Sequence, residues 1–431
     1  MPSGYRYVPG TRETIGGPSG VLDPLEGGLA APGPVGADSR GFATYTGSMG
    51  VDTVRSVIAK STFAEFRIDV AGFLSEAQDT ADTCPAYGAI LPPNLHHQAM
   101  HWQRYCYDRG WAGVHWPAEH GGMGLTRAHN LVWHEECAKA EVAPYLNLQG
   151  IVLAGEAIMR AGTAEQRERF LRPTLSNEIL WCQLFSEPGA GSDLGSLRSS
   201  ALIDGGHFRL NGQKVWSSNA QFAQYGILLA RTGFDQAKHK GISFLLLDMA
   251  LPGIEVRPIK QMTGDAEFCE VFFDEVLVPG DALLGELHGG WALAMAVLED
   301  ERGGAGAAGV VSLQRRLEAM RNRATNLGDV ERQQLTDLVS RGRALQSLME
   351  LHGEDPKIAP VAKLMNSELG YDEARVEATT QGAGAMLDGD ATDRFLYAPG
   401  MRIAGGTSEI QRNIIGERVL GLPREPRSSD S

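Results

Sequence analysis

Gln183-Leu184-Phe185-Ser186-Glu187-Pro188-Gly189-Ala190-Gly191-Ser192-Asp193-Leu194 sets a hydroxyl, a turn with two glycines and a second hydroxyl within twelve residues. Glycine lets a backbone approach a flat or charged ligand without a Cβ clash, and such a loop presents N–H donors to anions. Taken alone, a Gly/Ser loop of this kind reads first as a turn. A second segment begins 28 residues downstream: Asn211-Gly212-Gln213-Lys214-Val215-Trp216-Ser217-Ser218-Asn219. There a turn feeds a large aromatic and two adjacent hydroxyls. On its own it reads as a buried sandwich tryptophan at a strand end.

Outward from this pair the pattern changes character on both sides. From about Trp181, short apolar or β-branched runs (Tyr225–Arg231, Ile242–Leu247, Val271–Phe273) are bounded by Gly, Pro and Asp, as strands are. His207-Phe208-Arg209-Leu210 with Asn211-Gly212 reads as a strand entering a hairpin. Upstream, Val57, Phe63, Phe66, Val70, Phe73 and Leu74 share a helical face, and helical patterns follow in His96–Arg109, Ala128–Ala140 and Gly150–Ala161. After Pro279-Gly280 the helical period returns and runs to about Leu422. The order predicts an α+β multi-domain protein: an N-terminal helical domain (51–180), a middle β-barrel or sandwich (181–285) and a C-terminal four-helix bundle (286–425). Residues 1–50, rich in Gly, Pro and Ser, are expected to form a flexible extension, and 426–431 a tail.

The net charge of −14 argues against nucleic acid or an anionic membrane as the main partner. No apolar run is long enough to span a bilayer, and no basic-then-apolar leader opens the chain, so the expected location is cytoplasmic. The five cysteines (Cys84, Cys106, Cys137, Cys182, Cys269) are scattered without metal-ligand spacing and read as reduced, buried thiols. His97 and His101 are four apart on one predicted helix, but no acid lies between them and no third ligand is evident, so no metal site is expected.

Two further segments carry chemistry. Arg402-Ile403-Ala404-Gly405-Gly406-Thr407-Ser408-Glu409-Ile410-Gln411-Arg412-Asn413 reads as a glycine turn, an N-cap hydroxyl and a helix. In Gly290-Trp291-Ala292-Leu293-Ala294-Met295-Ala296-Val297-Leu298-Glu299-Asp300-Glu301-Arg302, Trp291, Ala294, Val297 and Leu298 share a face. Glu301 falls on that face, while Glu299 and Asp300 point away. A lone inward carboxylate is costly. Either Arg302 or Arg402 pairs with it, or it is a base whose affinity for protons burial raises.

Together these segments resemble the FAD-dependent acyl-CoA dehydrogenase family from about residue 51 to about 425. The pattern is nearest to actinobacterial members acting on bulky or steroid side-chain CoA esters. The resemblance implies a bound FAD. Ser186 and the backbone of Leu184 and Phe185 would meet the flavin's pyrimidine edge. Trp216 would lie along the isoalloxazine and Ser218 near its N5, with Gly191 and Ser217 alongside. Ser192 would reach both cofactor and thioester, and Gln381, Gly382, Thr407 and Glu409 the adenosine half. Arg302, Gly405 and Gly406 would bind substrate. Many members carry their catalytic glutamate at the position that Gly405 holds here. A subset, including isovaleryl-type and long-chain-type enzymes, carries it at the helix position of Glu301, which is therefore the expected base. The family's Arg-x-x-Phe-Gly is replaced by Arg321-Asn322-Arg323-Ala324-Thr325-Asn326-Leu327-Gly328. The implied reaction is α,β-dehydrogenation of an acyl-CoA to a trans-2-enoyl-CoA, with electrons passed to an electron-transferring flavoprotein. The implied assembly is a homodimer or homotetramer, or a heterotetramer with a paralogue. Alternatives on the same fold are a non-catalytic subunit of a heteromeric dehydrogenase and an oxygen-using flavin oxidase or monooxygenase.

Overall fold

The computed structural model describes residues 62–80, 91–143, 145–234, 238–323, 327–352, 355 and 357–424, without the side chains of 79–80, 300–308 and 350–352. The expected N-terminal extension, the start of the first helical pattern, Cys84 and the tail lie outside them. The helices of the N-terminal part are α1 (Phe63–Thr80), α2 (His96–Asp108), α3 (Arg127–Lys139), α4 (Gly155–Ala161) and α5 (Ala164–Leu175). In α1, Phe66, Val70, Phe73, Leu74 and Ala77 are buried, a single stripe at helical spacing. Phe63, placed on that face by the sequence, is instead half exposed and stacks on the His129 ring at 4.4 Å. The predicted helix over 150–161 splits: a wider turn of π-helix (Gln149–Ala154) precedes α4. Gly155 allows this packing, because a Cβ there would lie 2.0 Å from the buried Trp116 ring.

Helix α5 is missed by sequence reading, although Phe170, Leu171 and Leu175 give it a buried apolar face. Its start is fixed by a capping box. Thr163 Oγ1 accepts from Gln166 N, and Gln166 Oε1 accepts from Thr163 N. Gln166 Nε2 also donates to the carbonyls of Asp281 and Leu283, tying this helix to the next domain.

Among the described residues eight strands form one sheet: β1 (Trp181–Leu184), β2 (Ser200–Asp204), β3 (His207–Ser218), β4 (Tyr225–Arg231), β5 (Ile242–Asp248), β6 (Ile254–Ile259), β7 (Phe268–Pro279) and β8 (Leu283–Leu284). The order is β6-β7-β3-β2-β4-β5-β8, with β1 parallel to β4. The sheet curls, since side chains of β2, β3, β4, β5 and β7 meet in one core. Strands β4 and β5 are buried on both faces. Leu228, Ala230, Leu245 and Leu247 point into that core, while Ile227, Leu229, Phe244 and Leu246 join the helical N-terminal core. This two-sided burial is why their sequences read as unbroken apolar runs.

The hairpin expected at Asn211-Gly212 lies elsewhere. Strands β2 and β3 are joined at Gly205-Gly206, with φ of +54° and +86°, the left-handed pair that a tight two-residue hairpin needs. Asn211-Gly212 sits within β3, opposite a bulge in β7 at Glu275 (φ +50°). The Asn211 side chain accepts from the Glu275 N–H at 2.9 Å and donates to its carboxylate at 2.6 Å, satisfying groups that the bulge takes out of the ladder.

The C-terminal part is helical: α6 (Gly290–Arg323), α7 (Asp329–His352), α8 (Ala359–Gln381), α9 (Asp390–Met401) and α10 (Ser408–Ile414). Helices α6, α7 and α8 pack pairwise around Leu313, Leu317, Leu338, Leu345 and Leu369, and α9 packs on α8. The first turns of α6 leave this bundle and bury Ala294 and Val297 in the N-terminal core, with Trp291 and Leu298 partly buried against it. No helix among the described residues is long and apolar enough to cross a membrane.

On α3, burial, with His115 adding to it, pushes the His134 imidazole down to about 4 from its ordinary 6.5. The unfolded chain therefore takes up this proton first as the medium acidifies. Its contribution is fully present above pH 6.5 and is lost as pH falls toward 4, a change of about 3 kcal/mol. His134→Gln is expected to flatten the fall of Tm between pH 6.5 and 4; an unchanged slope would show that other groups set the acid limit.

Candidate active site

The two segments singled out in the sequence are brought into direct contact. Val215 N–H donates to the Ser186 carbonyl at 3.0 Å, and the Lys214 ammonium donates to the Phe185 carbonyl at 3.0 Å and to Glu187 Oε1 at 2.8 Å. Leu184 ends β1 fully buried. Phe185 packs edge-on against Phe244 at 5.8 Å. The loop then closes on itself through paired backbone bonds between Glu187 and Ala190. Gly191 and Ser192 emerge exposed and Ser186 is half-buried.

The end of β3 is shaped by a second bulge, between Lys214 and Ser217. Trp216 sits in it with φ +59°, a left-handed backbone that costs a bulky residue roughly 1–3 kcal/mol. The bulge turns the indole outward, so Trp216 is 58% exposed and meets Phe268 edge-on, contrary to the buried tryptophan that its strand suggested. The same bulge turns Ser217 inward, fully buried, with its hydroxyl lacking a hydrogen-bond partner. Ser218 follows, half-buried and paired with Phe268.

The glycine turn follows α9, where burial, with Asp265 and Glu267 ahead of β7 adding like-charge repulsion, raises Asp393 and Tyr397. Gly405 and Gly406 have φ of +64° and +92°. Their carbonyls are tied down: Gln411 Nε2 donates to Gly405 O at 3.0 Å and Lys363 Nζ to Gly406 O at 2.7 Å. Thr407 caps α10 by accepting from Ile410 N, and Glu409 lies exposed on its first turn. Arg402 is engaged by Glu368 at 3.2 Å and lies over the Tyr371 ring. Glu301 and Arg302 lie within α6, but their side chains are outside the described set.

Gln381 and Gly382 are not brought to this site. They end α8, eighteen residues beyond Lys363, a helical distance of about 27 Å. There Gln381 borders a cleft of about 480 Å³ with Arg316, Arg323, Glu377 and Arg394. Its arginines are already paired, Arg316 with Glu373 at 3.1 Å and Arg323 with Glu377 at 3.2 Å.

Sequence reading assigned no role to Lys214, Glu187, Lys363 or Gln411. Alternation along β3 from Leu210 places Lys214 on the inner face, a signal that was legible. His96, next to His97, stacks on Phe222 at 4.0 Å. The four described cysteines are buried and free.

An exposed indole, two hydroxyls and a buried hydroxyl without a partner, beside a loop whose glycines have open space at Cβ (Gly189 and Gly191), suit a flat aromatic ring with hydrogen-bonding edges. The donor set fits a flavin. Models of the acyl-CoA dehydrogenase N-terminal, middle and C-terminal domains match residues 87–178, 182–276 and 288–420. Acyl-CoA dehydrogenase IpdE1 of Mycobacterium tuberculosis is 38% identical over 84% of this chain and 98% of its own length. Acyl-CoA dehydrogenase FadE34 of the same organism is 39% identical over 74% of this chain and 45% of its own. Among solved structures, the ChsE4–ChsE5 complex from Mycobacterium tuberculosis superposes with TM-score 0.70 at 26% identity, covering 84% of this chain and 98% of that one. The Tcur3481–Tcur3483 steroid ACAD gives TM-score 0.71 at 25% identity, covering 88% and 100%. Enzymes of this family are FAD-dependent oxidoreductases. With its three domains matched in order and the flavin-compatible junction of β1 and β3 in place, the chain belongs to the acyl-CoA dehydrogenase family and is an acyl-CoA dehydrogenase.

Proposed function

We propose that this chain desaturates a bulky acyl-CoA thioester between its α and β carbons to give the trans-2-enoyl-CoA, with Glu301 as base and an electron-transferring flavoprotein as electron acceptor. The observation that carries the reading is the junction of loop 184–192 with the bulged end of β3, where Ser186, Trp216, Ser217 and Ser218 converge. Ser186 and the backbone of Leu184 and Phe185 would hold the flavin's pyrimidine edge, with Trp216 along the ring and Ser218 toward its N5. Gly191 gives the loop room and Ser192 reaches toward the thioester. Bound FAD supplies the hydride acceptor. The Gly405 N–H polarises the thioester carbonyl, from a turn made rigid by Gln411 and Lys363.

Glu301 removes the α proton. Helix α6 runs unbroken through it, and it follows the fully buried Ala294 by seven residues, which sets it about 20° away in helical projection. Holding base and substrate in fixed geometry contributes roughly 7–11 kcal/mol in well-oriented cases. Arg302 and Gly406 complete the substrate side, and Thr407 and Glu409 face the adenosine half. Gln381 and Gly382 join that half from a second copy, given their distance along α8. Similarity to the Tcur3481–Tcur3483 steroid ACAD supports a bulky acyl group.

A second reading makes the chain one member of a heteromer with a paralogue. It is favoured by similarity to the ChsE4–ChsE5 complex and by the replaced Arg-x-x-Phe-Gly segment. Native mass and visible spectrum of the singly expressed chain distinguish them, a yellow homo-oligomer supporting the first.

Glu301→Gln is expected to lower α,β-desaturation at least ~100-fold while leaving the bound flavin's visible spectrum nearly intact. Turnover at the parental rate would remove Glu301 from its role. Trp216→Gly is expected to change the stability of the flavin-free chain by less than about 1 kcal/mol, because relief of left-handed strain offsets glycine's entropy. Its flavin retention should fall by roughly tenfold or more, an equilibrium difference of about 1.4 kcal/mol or more. Dialysis followed by absorbance reads this out, and undiminished retention would contradict the stacking role.

A further inference from the structure

Lys214 is a fully buried lysine inside the sheet, and the proposed reaction gives it no part. Its ammonium donates to the Phe185 carbonyl at 3.0 Å and to Glu187 Oε1 at 2.8 Å. Glu187 is itself nearly buried and accepts from the backbone N–H groups of Arg198 at 2.6 Å and Ser199 at 2.9 Å. Burial works against the Glu187 charge, but Lys214 and these N–H groups hold its carboxyl below the usual carboxylate range. Burial pushes Lys214 down to about 8, against the pull of Glu187. The ammonium and carboxylate meet at ion-pair distance, 2.8 Å, with both side chains buried.

The Phe185–Ser186 peptide is trans, so its C=O and N–H point to opposite sides. With the carbonyl gripped by Lys214, the Ser186 N–H is directed away from the lysine. The next peptide is fixed in the same manner: its carbonyl accepts from Val215 N–H and its Glu187 N–H goes to Ala190 O.

We propose that Lys214 is a positioning residue for the flavin: by fixing the Phe185–Ser186 peptide it aims the Ser186 N–H at the pyrimidine edge and keeps a positive charge behind that donor. This rests on reading Phe185 and Ser186 as flavin contacts. Preorganised donors and charge on the side where negative charge gathers ease reduction without reorganising at the moment of reaction. The other titratable groups on the strands beside Lys214 do not compete. Glu270 on β7 accepts from Gln213, and Asp204 and Glu275 pair with Arg209 toward the far end of β3. Burial raises the Cys182 and Cys269 thiols, leaving them neutral at ordinary pH.

The test compares the FAD-loaded parent with Lys214→Met and with the double variant Lys214→Met/Glu187→Gln, which removes both charges and so leaves no unpaired carboxylate. In the double variant the flavin midpoint potential should shift downward. Its reduction rate per bound flavin, measured by stopped flow with an acyl-CoA accepted by the parent, should fall at least tenfold, with substrate affinity changed less than threefold. Lower thermal stability with the parent's potential and parental rate per bound flavin would mean a purely structural role and overturn the proposal. A parent chain that binds no FAD would instead refute the flavin reading on which the inference rests, before any substitution is made.

Discussion

A charge sealed inside a sheet is stable only with a partner, and the pairing of Lys214 with Glu187 is the constraint on which this site depends. Breaking a buried pair from one side costs about 3–5 kcal/mol, because the remaining charge has neither water nor counter-ion. The pair ties the loop after β1 to β3, in addition to the loop's own short backbone bridge. Position follows from it: Phe185, Ser186 and the Glu187–Ala190 turn are held where the bulged strand presents Trp216 and Ser217. Removal of this clamp would leave the Gly189–Gly191 stretch, which has open space around it, without a fixed conformation.

The surrounding architecture gives the clamp a rigid base. Strands β4 and β5 are packed from two sides, by the helical N-terminal core and by the interior of the curled sheet. Loop 184–192 leaves β1, which is itself paired to β4. The first turns of α6 enter the same N-terminal core through Ala294 and Val297, so the helix bearing Glu301 and the sheet bearing the loop share one packed body. Relative placement of a base and an acceptor across a substrate demands such a shared reference.

Much of this was legible in the residues, for reasons that are local. The apolar runs of β4 and β5 announce two-sided burial, and the stripe Trp291, Ala294, Val297, Leu298 announces the inward face of α6. Asn211-Gly212 was misread because the pair that favours tight turns also suits a strand facing a bulge, where the asparagine side chain completes the ladder. The true turn, Gly205-Gly206, carries the same left-handed signal without asparagine. Helix α5 escaped because its apolar residues Phe170, Leu171 and Leu175 are confined to its second half behind a charged first half; the capping pair Thr163 and Gln166 marks its start. Strand alternation alone puts Trp216 on the buried face, because alternation assumes no bulge. Within the site, the hydroxyls and glycines were readable from type and spacing. The partners of Lys214 and Lys363 were not, since both bind backbone carbonyls, which leave no trace in side-chain identity.

The two bulges have a joint effect on the β3–β7 ladder. One adds a residue to β7 at Glu275, the other adds a residue to β3 at Trp216, and the pairing offset introduced by the first is cancelled by the second. Between them the strands run one step out of frame; beyond them the frame is restored, and Ser217 and Ser218 face Cys269 and Phe268 in the same alignment that His207 has with Pro279. Inside and outside alternate with every residue of a strand. At each bulge two residues stand where a flat strand has one, so Lys214 and Ser217 both face inward although three apart, as do Phe273 and Val276; deleting the extra residue would straighten the strand and leave the pairing beyond it unchanged.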